Sequence, residues 1–144
     1  MDTSGVHLWL ILWKSYNAVR AHADRHIHAL GLGFSEFSVL EVLLHKGPTP
    51  VNTIGRKVQL TSGSITAAVD RLVARGLVLR SDESSDRRCR VVHLTGEGRR
   101  LIECAFQAHR EAMERATAGL NPQERRQAIL LLKKLGKRAE SIPD

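Results

Sequence analysis

Two short polar stretches carry side chains suited to gripping a nucleic acid. Thr61-Ser62-Gly63-Ser64-Ile65-Thr66 is dominated by small hydroxyl residues. Opening a helix, such residues allow close approach to a groove floor; their amides and hydroxyls can hold a phosphate, and Ser64 or Thr66 can reach base edges. Arg71 and Arg75 lie four residues apart on the same segment and can meet the backbone farther along. The second stretch, Asp86-Arg87-Arg88-Cys89-Arg90, places three guanidinium groups on a narrow turn. The negative potential of a minor groove attracts such groups. Asp86 is a poor DNA contact and reads better as the acid that aims Arg88 through a bidentate pair. The plainer alternatives are hydroxyls that only cap a helix and a charged turn that is only solvated.

Other residues could sense rather than bind. Cys89 sits between Arg88 and Arg90, whose charges favour a thiolate that a quinone could alkylate or an oxidant attack. Its alternative is an unreactive strand residue, while Cys104 is expected in the core. Trp9, Trp13 and Tyr16 recur on one side of a helix and hold three of the six Phe, Trp and Tyr residues. They could stack on a phenolic ligand with Arg20 or a histidine as polar partner, or they could be dimer core, the commoner fate of such a stripe. Phe37 and His45 are weaker pocket candidates. His22 and His26, four apart on one helical face, could ligate a metal, but no third ligand is identifiable nearby, so neither metal nor cofactor is expected. No GxSxG, P-loop, GxGxxG or HExxH is present, and an enzyme is not expected.

The elements needed to position these groups fit a chain of 144 residues, long enough for one domain with helical extensions and a real core. The net charge of +7 is uneven: residues 1–50 are neutral, 51–100 carry +5 and 101–144 carry +2. A local, arginine-dominated field points to a phosphate-rich partner. No apolar run approaches the roughly 20 residues of a membrane span, and Asp2 with no basic stretch argues against a secretory signal. Two isolated cysteines fit a reducing cytoplasm better than a disulfide framework.

Helical spacing runs from His7 to Leu30, with Gly31 and Gly33 closing it. Ser35 can cap a second helix that Gly47-Pro48 stops; Pro50 opens a short third; Thr61 or Ser62 caps a fourth, to Arg75. The period then changes. Leu77–Arg80 and Arg90–Leu94 read as two strands of a hairpin around a wholly polar loop. Thr95 caps a long helix toward Thr117, and Asn121-Pro122-Gln123-Glu124 is a capping-box start for the last. The fold class is therefore mainly α with a small β-hairpin, a winged helix-turn-helix over 35–95 between helices at 6–30 and 96–140. Those outer helices are apolar on more than one side, which implies a partner chain.

From about Leu8 to Lys137 the chain resembles the MarR (multiple antibiotic resistance regulator) family of winged-helix transcription factors. The resemblance is carried by Leu32–Leu40, Leu60–Thr66, Val69-Asp70-Arg71-Leu72, Gly76-Leu77-Val78, and Asp86-Arg87-Arg88 followed by Leu94-Thr95 and Gly98. The stretches "GPTPVNTIG" and "LTSGSIT" are similar to the branch that responds to methylhydroquinone and catechol. The resemblance implies a homodimer joined by its N- and C-terminal helices, repressing from a pseudo-palindromic double-stranded DNA operator and released by a small phenolic or quinone ligand. It matches Ser62, Ser64 and Thr66 to the reading face, Arg88 to the wing-tip arginine and Asp86 to its supporting acid. The competing classes are a repressor that senses electrophiles through Cys89 and a non-specific nucleoid protein.

Overall fold

The computed structural model describes residues 1–81, 86 and 89–143. The order is α1 (Gly5–Ala29), α2 (Phe34–Lys46), β1 (Thr49–Pro50), α3 (Val51–Val58), α4 (Ser62–Ala74), β2 (Val78–Arg80), β3 (Val91–Leu94), α5 (Gly96–Ala116) and α6 (Pro122–Glu140). This is the expected mainly α architecture with a winged helix-turn-helix.

The helix boundaries have local causes. Ser4 caps α1 by accepting from the His7 amide, and Gly31, at φ +69°, lets the chain turn out of it. Asn121 and Glu124 close a reciprocal capping box at α6. The expected cap at Ser35 is corrected. Gly33 is the capping residue and Phe34 the first helical one. Gly33 has no side chain to accept a bond, and the Glu36 carboxylate folds over it so closely that a Cβ there would lie 2.6 Å from Oε2.

The hairpin gains a third strand that alternation had not revealed. The sheet order is β1-β3-β2, antiparallel, with Thr49 opposite Val92 and Val78 opposite Leu94. Pro50 lacks an amide and so suits an edge strand; the next residue, Val51, donates to the Arg90 carbonyl at 3.1 Å.

The core joins the winged domain to the outer helices: Ile27 of α1, Phe37, Leu40 and Leu43 of α2, Ile65 and Leu72 of α4, and Ile102 of α5 are buried together. One expectation is corrected here, that for Cys104. Phe37, expected in the apolar set of its helix and as a weaker pocket candidate, is core: it is only 1% exposed and packs against His109 at 5.0 Å between ring centroids. Cys104 is exposed, because α5 turns Ile102 and Ala105 inward instead.

The first half of α1 and all of α6 pack little against their own chain. Trp9, Ile11, Trp13, Leu130, Leu131 and Leu132 are all exposed, and α6 has no buried residue. Among the described residues, no single helix is long and apolar enough to cross a membrane.

Candidate nucleic-acid interface

Helix α4 is the best-formed candidate for reading DNA, and its orientation follows from its sequence. Ile65, Ala68, Val69 and Leu72 recur on one side and are buried. The outward side therefore carries Gly63, Thr66, Ala67 and Asp70, mostly small residues over which another surface can come close. Gly55 of α3 permits the crossing of the two helices: a Cβ there would already lie 3.2 Å from Ile65 Cγ2. The turn between them passes through Gln59, the one described non-glycine residue at positive φ (57°).

Thr61 is the cap. Its hydroxyl accepts from the Ser64 amide at 3.2 Å and donates to Ser64 Oγ at 2.9 Å. This fixes the first turn; Ser62 and Ser64 are exposed and Thr66 is half-buried. Asp70 would oppose a phosphate from the middle of this face, but it is ion-paired with Arg80 of β2. That bond also ties α4 to β2.

The remaining arginines behave differently from one another. Arg71 Nε donates to Glu36 Oε1 at 2.8 Å, and Arg75 Nη1 donates to the Gly31 carbonyl at 2.8 Å. Both guanidinium groups are thus turned onto α2 and the turn before it. On the wing, Arg90 is held at the base by the Val51 bond to its carbonyl. Arg87 and Arg88 lie outside the described residues, and with them the expected Asp86–Arg88 pair. Asp86 also meets Cys89: its backbone carbonyl accepts the Cys89 amide at 3.1 Å, and Cys89 Sγ lies 3.7 Å from Asp86 Oδ2. The exposed thiol therefore has a carboxylate as one partner.

This geometry has known counterparts. The profile of the MarR family matches residues 34–90. The chain is 34% identical over 142 residues to the HTH-type transcriptional regulator MhqR of Bacillus subtilis (strain 168), a match covering 99% of this chain and 98% of the relative. The chain belongs to the MarR family. It is a DNA-binding transcriptional regulator and not an enzyme. Among solved structures of similar shape is a probable transcriptional regulator from Pseudomonas aeruginosa (TM-score 0.76, 32% identity, 88% of this chain and 94% of that one). Another is Bordetella bronchiseptica BpsR, whose DNA binding is regulated by 6-hydroxynicotinic acid (TM-score 0.82, 27% identity, 90% of this chain and 98% of that one).

The MarR-family chain does not gather the sensing residues foreseen from its sequence into one place. Trp9 lines an apolar groove of about 510 Å³ between α1 and α6, with Leu8, Leu12, Leu132 and Leu135. Trp13 and Tyr16 are exposed farther along α1. Arg20 donates to the Tyr16 hydroxyl at 2.9 Å and stacks over Phe34, 4.6 Å from the ring centroid. Phe34 in turn lines a separate cleft of about 470 Å³ between α2 and α3, with Ser38, Glu41, His45 and Lys57. His45 is thus the foreseen pocket residue that does line this cleft. Phe34, Ser38, Glu41 and Lys57 were missed as pocket residues, although Phe34, Ser38, Glu41 and His45 fall at helical spacing on one side of α2.

The two spaced histidines each have another neighbour in the fold. His22 Nδ1 lies 3.0 Å from Arg25 Nη2, and His26 Nε2 lies 3.0 Å from the Ala105 carbonyl. Among the described residues no three His, Cys, Asp or Glu side chains converge.

Proposed function

We propose that the protein acts as a homodimeric repressor on a pseudo-palindromic operator and is released by a small aromatic or phenolic ligand. One observation carries the DNA reading: a Thr61-capped helix presents unburied hydroxyls beside Gly63 and Ala67, with its inner face locked into the core. Thr61, Ser62, Ser64 and Thr66 form the major-groove surface, and Arg87, Arg88 and Arg90 supply phosphate and minor-groove contacts from the wing. Residues 35–95 are the DNA-binding unit. The helices within 6–30 and 96–140 are the dimer interface, a role favoured by the exposed apolar side chains of α1 and α6. A two-fold dimer would set its recognition helices in successive major grooves, about 34 Å apart.

The ligand site we assign is the α2–α3 cleft. Its volume suits a small molecule, Phe34 offers a ring to stack on, and His45, Ser38 and Lys57 offer polar partners for a phenol or its anion. The regulation of BpsR by a hydroxylated aromatic acid is consistent with this ligand class.

The test is selection of duplexes from a random library by the full-length protein, followed by anisotropy titrations at controlled salt. Enrichment of a palindrome with two half-sites one turn apart is expected. Equal affinity for enriched and random duplexes would instead identify a non-specific nucleoid protein. Arg88→Ala should weaken binding to the enriched duplex and reduce its salt dependence, with little change in folding.

A further inference from the structure

The arginines of α4 that point away from its outward face form a fixed joint. Glu36, at the third position of α2, is the covered member of its ion pair: its side chain is 14% exposed, against 54% for Arg71. One carboxylate oxygen accepts from Arg71 Nε, and the other lies over Gly33 in space that a Cβ would fill. One turn along α4, Arg75 reaches past the same carboxylate to the carbonyl of Gly31. Burial raises the pKa of Glu36. The bond from Arg71, the residue's own amide and the charges of Arg71 and Arg75 outweigh burial and hold the carboxyl below its ordinary range.

We propose that Arg71 and Arg75 are positioning residues rather than DNA contacts. With Glu36 and Gly31 they fasten α4 to the corner where α1 and α2 meet, and so set the angle at which the recognition helix enters the groove. The inference rests on the DNA reading above. Three features support it. Moving Arg71 to a phosphate would strand a largely covered carboxylate, which is costly when its partner is removed. Two attachments a turn apart define an orientation, where one would define only a point. The corner itself is packed: α1 turns into α2 at 86°, and Ile27 in the last turn of α1 and Leu32 within the turn are buried.

The reading makes a prediction of opposite sign to the contact alternative. If Glu36 merely competed with DNA for Arg71, Glu36→Gln would free the arginine and tighten binding. If the pair positions α4, Glu36→Gln weakens it. The full-length protein is titrated against the duplex enriched from the random library, at several KCl concentrations, with circular dichroism confirming the fold of each variant. Expected results are an approximately tenfold loss for Glu36→Gln and for Arg71→Ala, with no further loss in the double variant. The salt slope of Arg71→Ala should equal that of the wild type. Arg71→Lys, an exposed change that keeps the charge and cannot unfold the core, should also lose affinity. Tighter binding by Glu36→Gln, a slope reduced by about one in Arg71→Ala, or full affinity in Arg71→Lys would each overturn the joint while leaving the DNA reading intact. Failure of the wild type to enrich any duplex would overturn the DNA reading and this inference with it.

Discussion

Gly98→Ala gives a test in which two physical rules predict opposite signs. Gly98 lies in the first turn of α5, and in an unobstructed helix alanine should be more stable than glycine by up to about 1 kcal/mol. Here, however, a Cβ would lie 1.9 Å from the Leu77 carbonyl oxygen and 2.8 Å from its carbon. Ordinary contact begins near 3.4 Å, so the backbone at Leu77 and α5 must separate by about 1.5 Å. The oxygen in question accepts the Thr95 amide at 3.1 Å, while Thr95 Oγ1 donates to the Gly76 carbonyl at 2.7 Å and accepts the Gly98 amide at 3.0 Å. Leu77 is itself buried. Overpacking of this kind costs roughly 1–3 kcal/mol, and each disrupted bond adds about 1 kcal/mol. Set against the helix-propensity gain, the net loss should be about 2–4 kcal/mol, or on the order of 10 °C in Tm. Urea unfolding followed by far-UV circular dichroism, at matched protein concentrations because an oligomer's stability depends on them, measures it. Gly63→Ala, where a Cβ meets nothing within 4 Å, is the control and should be neutral or slightly stabilising. A Gly98→Ala protein as stable as the wild type would refute the close approach of α5 to the wing base.

Three further outcomes are expected. Gln59→Gly should raise stability by up to about 1 kcal/mol in the same assay, because it relieves a left-handed backbone conformation; a loss would show that the Gln59 side chain makes a compensating contact. His109 has a pKa lowered by burial, opposed by Glu41 and reinforced by His26, and its Nδ1 has no partner among the described residues. The neutral ring is thus the native form: its contribution is complete above the ordinary value of 6.5 and lost as pH falls through the lower folded value. Urea midpoints should fall from pH 7.5 to pH 5.5, and less so in His109→Phe; equal slopes would clear this histidine. Leu132→Glu, on the exposed apolar side of α6, should convert the proposed dimer to monomer by light scattering, whereas an unchanged mass would refute α6 as its interface.

Much of this was legible in the chain because it is local. Asn121 caps the helix it was expected to cap, and Thr61 is the one of the two expected candidates, Thr61 or Ser62, that does so, since a hydroxyl or amide followed by helical spacing is a short-range signal. What escaped depends on partners distant in sequence. The Glu36–Arg71 pair spans 35 residues and Arg75–Gly31 spans 44, so nothing near either arginine distinguishes a phosphate ligand from an internal tie. The two-residue strand at Thr49 exists only because β3, some forty residues later, completes it. Cys104 was misplaced because periodicity groups residues on a face but does not say whether that face meets the core. The split of the aromatic residues between the α1–α6 groove and the α2–α3 cleft likewise follows from packing and not from spacing.

The wing and α5 are separated by a single residue, Thr95, whose hydroxyl bonds both the turn before β2 and the first turn of the helix. Length can therefore change at one end of the wing only. An added residue at Thr95 would either flip the alternation of β3 or rotate α5 by about 100° about its axis, scrambling one surface or the other. Residues added between β2 and β3 leave the pairing of Val78 with Leu94 at the base untouched. The reach of the wing over DNA is in this sense a modular variable, open to lineage drift or to grafting, while its base is a fixed datum shared with the long helix.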